Sequence, residues 1–157
     1  ATKFRKRKIT VYINSILVII FLSNIYNLIT LHPFQYIYFN SFFEKNANKL
    51  FEIDYWGLSN KDALKNIVIN NYKGEKITIG VASFTNLFLS EKMLPEKHRN
   101  KLIITGQDFS NVDFIFNNNY FEINPSFNDK YEIPKNYIKY QQNKKGNILI
   151  NEFYIKG

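Results

Sequence analysis

A small α/β (α+β) domain with a mixed β-sheet, flanking helices and a C-terminal hairpin, preceded by one transmembrane helix, is the architecture this sequence predicts. Three stretches predict it. Residues 9–31 are apolar and hold no Asp, Glu, Lys or Arg. A helical period over 59–71 leads into the β-branched run 77–83. The tail alternates on both sides of a Lys144-Lys145-Gly146-Asn147 turn.

A helix needs about 20 mostly apolar residues to cross a bilayer, and residues 9–31 supply them. Lys3, Arg5, Lys6, Arg7 and Lys8 stand just before it. The positive-inside rule puts such a cluster in the cytoplasm, so the expected division is a basic cytoplasmic flank over 1–8, a membrane helix over 9–31 and an extracytoplasmic domain over 32–157. The competing readings fit less well. A signal peptide would have a shorter core and a small-residue cleavage site, which Ser23-Asn24-Ile25-Tyr26 does not offer. A helix of a soluble core would show a polar face, and a surface helix would spread its charges along one side. Ser23, Asn24 and Asn27 fall within about a third of the helix circumference. Such groups in hydrocarbon seek partners on neighbouring helices.

The 157 residues, less one span, suit one compact domain, and 45% hydrophobic with 17% aromatic content excludes a disordered tail. Of the net +8, five charges stand in the N-terminal cluster, so the remainder carries +3. Those lysines are scattered among acids rather than gathered in a stripe, which argues against nucleic acid. The absence of cysteine excludes disulfides and thiolate chemistry. The sole Asn-x-Ser/Thr match, Asn124-Pro125-Ser126, is blocked by its proline. Both points suit a bacterial envelope. A chain beginning at Ala1 without Met suits a piece of a longer polypeptide.

His32-Pro33 should end the membrane helix. The aromatics of 34–40 then form an interfacial belt with some core packing, or a ledge that touches substrate. Residues 51–57 read as a strand running into a turn. Ser59 and Asp62 form a capping box, and Ala63, Leu64, Ile67 and Val68 define a helix to about Asn71. After a turn at 73–76 comes the strand 77–83. A helix over 86–93, with Leu87 and Phe88 inward, precedes a short helix begun by Pro95. Strands follow over 102–105 and 112–116, an Asn-rich turn at 117–119, and the hairpin 137–155.

Few residues invite chemistry. The glycines are dispersed, and His32 and His98 are far apart without carboxylates at ligand spacing, so no metal or other cofactor is implied. Glu52, Asp54 and Asp62 lie close in sequence, with Glu52 and Asp54 on one face of the expected strand. A carboxylate pair could do acid/base work, but the expected role of Asp54 is to receive amide or Tyr bonds. Trp56 could stack on a sugar ring; beside a glycine and a helix start, a core anchor is the expectation.

His32-Pro33-Phe34-Gln35-Tyr36-Ile37-Tyr38-Phe39-Asn40, followed by Phe51-Glu52-Ile53-Asp54-Tyr55-Trp56-Gly57-Leu58-Ser59 and then Asp62-Ala63-Leu64, resembles the region after the last membrane helix of bacterial GT-C superfamily glycosyltransferases related to dolichyl-phosphate-mannose protein mannosyltransferases. The later Val112-Asp113-Phe114-Ile115 is similar to a strand of the same tails. The resemblance covers nearly the whole chain and is strongest over 32–64. It implies a polytopic inner-membrane enzyme that moves a sugar from a polyprenyl-phosphate donor. The catalytic acid of that family lies far upstream, so no catalytic residue is carried over. This chain would be the last helix and a non-catalytic periplasmic domain. Its partners would be the bilayer, the parent enzyme's other helices and a glycan or lipid-linked sugar. Gln35, Tyr38, Asn40, Asp54, Tyr55, Trp56 and Gly57 match the family's motifs without an assigned role. The alternative is a self-contained single-pass envelope protein whose domain binds a protein or glycan.

Overall fold

The computed structural model describes residues 2–39 and 41–157; the side chains of residues 2–7, 41 and 42, and with them most of the basic cluster, lie outside that description. The chain divides into two compact units, Ala1–Tyr38 and Phe39–Gly157.

The first unit is helix α1 (Thr2–Thr30) and the turn that follows it. Within it, Lys8–Thr30 is long and apolar enough to cross a membrane, and none of it is buried within the chain. At 1.5 Å per residue this segment spans about 34 Å, against about 30 Å of bilayer hydrocarbon. Asn24 donates its amide to Ile20 O at 2.9 Å and accepts the Tyr38 hydroxyl at 2.8 Å. Thr30 Oγ1 donates to Asn27 O at 3.0 Å.

The second unit is built on one five-stranded mixed sheet in the order β2-β1-β3-β5-β4, comprising β1 (Ile77–Val81), β2 (Leu102–Gly106), β3 (Phe114–Asn117), β4 (Tyr137–Lys145) and β5 (Ile148–Lys156). β1 runs parallel to β2 and β3, and β5 is antiparallel to β3 and β4. Short helices α2 (Ser41–Glu44) and α3 (Ala47–Leu50) precede α4 (Asn60–Asn71), while α5 (Leu87–Lys92) and α6 (Glu96–Arg99) join β1 to β2.

The sequence pattern explains both faces of the sheet. In α4, Ala63, Leu64, Ile67 and Val68 form one buried stripe. The stripe packs with Ile77, Ile79 and Val81 of β1, Leu102 and Ile104 of β2, Phe114 and Phe116 of β3, and Phe153. Leu87 and Leu94 join this cluster, so the β1-to-β2 connection crosses the α4 face. Phe88, expected inward beside Leu87, is instead 47% exposed. Successive residues of a helix lie about 100° apart, and Leu87 and Ser90 take the inward side of this one-and-a-half-turn helix.

The connection from β2 to β3 covers the other face. Phe109 and Val112 pack there with Ala82, Ile115 and Tyr137, and the Tyr137 hydroxyl donates to Val112 O at 2.8 Å. β1 is therefore buried on both sides, as its continuous apolar run requires. The Thr78 amide and hydroxyl both donate to Asp113 Oδ2 at 2.7 Å, which aligns the start of β3 beside β1.

The C-terminal hairpin forms where the alternating pattern puts it, and Gly146 turns with a φ of 57°. The α2–α3 segment is tied to it. Asn48 accepts from Leu149 N at 2.9 Å and donates to Leu149 O at 2.6 Å, while Glu44 accepts from Asn147 N at 3.3 Å. Asn48→Asp keeps the acceptor and sets a carboxylate oxygen against the Leu149 carbonyl. It should lower stability by about 1 kcal/mol, read as an earlier midpoint in chemical unfolding; an unchanged midpoint would show that the clasp is not structural.

Candidate functional site

Residues 51–57 do not form the expected strand running into a turn. They fold as a bend and successive turns in which Asp54 (φ 57°) and Gly57 (φ 63°) are both left-handed. Asp visits that region more readily than most residues, and glycine does so without strain. A Cβ on Gly57 would also stand 2.6 Å from Asn60 Nδ2. The turn closes through Gly57 N to Asp54 O at 2.8 Å and Asn60 N to Gly57 O at 3.1 Å.

Inside this turn lies a polar network. Asp54 is 1% exposed. Its carboxylate accepts from Ser59 N at 3.3 Å and from the Ser59 hydroxyl. Ser59 Oγ in turn accepts from Asn151 Nδ2 of β5 at 2.6 Å. Asn151 Oδ1 accepts from Asn143 of β4, and Asn118, just beyond β3, donates to Asp54 O at 3.4 Å. The capping box is thereby overturned: Ser59 sits in helical conformation without a side-chain cap bond, and its hydroxyl serves Asp54. The acid pair fails as well. Glu52 and Asp62 are exposed while Asp54 is buried, so Glu52 and Asp54 share no strand face. The expected structural role of Asp54, as acceptor of an amide bond, is the one it fills.

The core role expected for Trp56 is also overturned, since Trp56 is 81% exposed. With Asp54 taking the inward position of the turn, Tyr55 and Trp56 are directed to solvent. Their rings start a chain of contacts. Trp56 meets Tyr55 at 4.9 Å between centroids, Tyr55 meets Tyr120 at 5.0 Å, and Tyr120 meets Phe84 at 5.5 Å. Burial, and then the hydroxyl bond with Tyr55, push the Tyr120 phenol up to about 12. It is neutral at any physiological pH.

Phe84 is the end of this chain and one wall of a cleft of about 200 Å³ at the carboxyl end of β1. Val81, Ser83, Phe84, Thr85, Asn86, Leu87, Phe88, Gly106 and Gln107 line it. The local geometry comes from an irregular register: Ile79 pairs with Ile104 but Gly80 with Gly106, leaving Thr105 as an extra residue. Thr105 Oγ1 approaches Ile79 O at 3.3 Å and Asp108 O at 2.8 Å. Gly106 follows with a φ of 67°, which turns the chain away and leaves the cleft floor without a side chain. Ser83 and Thr85 are nearly buried, with hydroxyls 3.1 Å apart.

A second polar group lies on the opposite face of the sheet. Glu152 receives Lys139 Nζ at 2.8 Å, Gln142 Nε2 at 3.0 Å and the Tyr154 hydroxyl at 2.5 Å. Burial pushes its carboxyl up, but these bonds outweigh that and hold it below the usual Glu range. The same burial and the bond to Glu152 push the Tyr154 phenol above its ordinary value.

Of the residues singled out from the sequence, Asp54, Tyr55, Trp56 and Gly57 form one turn in the second unit. Gln35 and Tyr38 belong to the first, where the Gln35 amide lies 2.9 Å from His32 Nδ1 and Tyr38 bonds Asn24. Asn40 lies outside the described residues. Phe84, Tyr120, Asn118, Asn151 and the residues of the cleft were not anticipated. Compared with family models, curated proteins and solved structures, the chain has no match.

Two outcomes test this geometry. Asp54→Asn keeps the shape and tolerates the left-handed backbone, but it weakens the bonds from Ser59 inside the network. It should cost about 1–3 kcal/mol of stability in chemical unfolding, and a stable variant would remove Asp54 from its structural role. Glu152 has a folded-state value below its unfolded one, so its stabilisation is complete above the ordinary Glu range and is lost as pH falls through the depressed value. Glu152→Gln should be less stable at neutral pH and lose less stability on acidification; parallel acid limbs for variant and wild type would refute this.

Proposed function

We propose that this chain is the membrane-anchored, non-catalytic extracytoplasmic part of a glycosyltransferase that draws on a polyprenyl-phosphate sugar donor. The observation that carries the reading is the division of labour within Asp54-Tyr55-Trp56-Gly57. The motif's one carboxylate is buried and bonded to Ser59, and its largest aromatic is left in solvent. A carboxylate so engaged has no access to a substrate proton, whereas an exposed indole face suits the C–H face of a pyranose. The family resemblance of 32–64, directly behind an apolar helix of spanning length, supports the same reading. Lys8–Thr30 would then cross a bacterial inner membrane with the domain in the periplasm. The polar stripe of Ser23, Asn24 and Asn27 would meet the parent enzyme's other helices.

The exposure of Trp56 equally suits a single-pass envelope protein whose domain binds a glycan directly. The coding sequence just upstream of Ala1 separates the two: an in-frame run of hydrophobic spans supports the glycosyltransferase tail, and a start codon supports the single-pass protein. For the non-catalytic assignment, the purified chain in lipid nanodiscs is incubated with a polyprenyl-phosphate hexose. No polyprenyl phosphate should be released. Turnover by this chain alone would overturn the proposal.

A further inference from the structure

The cleft at the carboxyl end of β1 lies at a particular point in the topology. The chain leaves β1 across the α4 face to reach β2, and leaves β2 across the opposite face to reach β3 on the other side of β1. In sheets with parallel strands, ligands settle outside the carboxyl ends of the strands, and this cleft lies at the carboxyl ends of the parallel neighbours β1 and β2. The irregular register at Gly80 and the left-handed Gly106 keep this place open.

The lining defines the chemistry of an occupant. None of the nine residues carries an ionisable side chain, so a phosphate, a nucleotide or a metal ion would meet no opposite charge. Phe84 and Phe88, 51% and 47% exposed, offer ring surface. Ser83 and Thr85 share one hydroxyl–hydroxyl bond, which leaves a donor and several lone pairs between them. Gln107 adds an amide at the rim, able to donate and accept. Aromatic faces beside neutral hydroxyl and amide groups match a ring that is apolar on its C–H face and hydroxylated at its edge. The volume of about 200 Å³ falls below the roughly 300–1,000 Å³ of pockets for drug-sized ligands, which suits a single such ring.

We infer that this cleft is a subsite for one neutral hexopyranose unit, with Phe84 and Phe88 against its C–H face and Ser83, Thr85 and Gln107 on its hydroxyls. Ring contacts through the buried Tyr120 and through Tyr55 link Phe84 of the cleft to Trp56. This rests on and deepens the proposed function, which by itself does not require a saccharide in this cleft.

The test is saturation-transfer-difference NMR on the full chain in lipid nanodiscs, free of sugar detergents, with methyl hexopyranosides of mannose, glucose and galactose. At least one glycoside should receive saturation at its ring C–H protons. Phe88→Ala and Gln107→Ala, both at exposed positions, should each reduce that signal by about fivefold or more, as loss of a ring contact or hydrogen bond implies. Leu89→Ala, exposed on the same helix but outside the cleft lining, should leave it unchanged. No saturation of any glycoside in the wild-type chain would overturn the inference. So would a signal lost in Trp56→Ala but unaffected by the Phe88 and Gln107 variants, although the proposed function would then stand.

Discussion

The structure of the second unit depends on one buried carboxylate. Asp54 is held out of water with its side chain bonded by Ser59, and a buried polar group is tolerated only while such partners remain. Because Ser59 also takes the Asn151 amide, the bond reaches from the turn into β5; through Asn143 it reaches β4. Asn118 adds the end of β3 by holding the Asp54 carbonyl. Asp54 and the side chains bonded to it in series thus tie the start of α4 to β5, to β4 and to the end of β3. In a low-dielectric interior such a chain of polar bonds is favourable only when complete, which makes the turn a single conformation rather than one of several.

That constraint sets what the surface presents. Once Asp54 points inward with a left-handed backbone, the next two side chains face outward, and Tyr55 meets the buried Tyr120, which in turn meets Phe84. The cleft has a separate origin in the parallel pairing of β1 and β2 and the extra residue at Thr105. The two features meet at Phe84, which belongs to both.

Legibility from the sequence followed the range of the interactions. The α4 stripe, the β1 run and the hairpin arise from local period and turn chemistry, so residues a few positions apart were sufficient to read them. Residues 51–57 were misread because Phe51, Ile53 and Tyr55 alternate with polar neighbours as a strand does, while the partners that impose a turn, Asn118 and Asn151, lie far along the chain. Asn118 is 64 residues from Asp54, and Asn151 is 92 from Ser59. Ser59 satisfies every local rule for a cap, yet its hydroxyl donates to Asp54 and accepts from Asn151 Nδ2 instead. The place of Trp56 beside a glycine and a helix start points to the core, a rule that fails where the backbone decides direction. The cleft left no trace in the sequence, because Ser83, Thr85 and Gln107 are ordinary residues until the pairing of β1 with β2 brings Gly106 beside them.

The clasp between Asn48 and Leu149 carries a further consequence. β3 pairs with β5 only at residues 152–155, so the stretch of β5 around Leu149 has β4 on one side alone. A bare strand margin of that kind can recruit an extended segment from another molecule. The Asn48 amide occupies both backbone groups of Leu149 in the manner of a neighbouring peptide. That side chain fills the two hydrogen bonds that an intruding strand would need at Leu149.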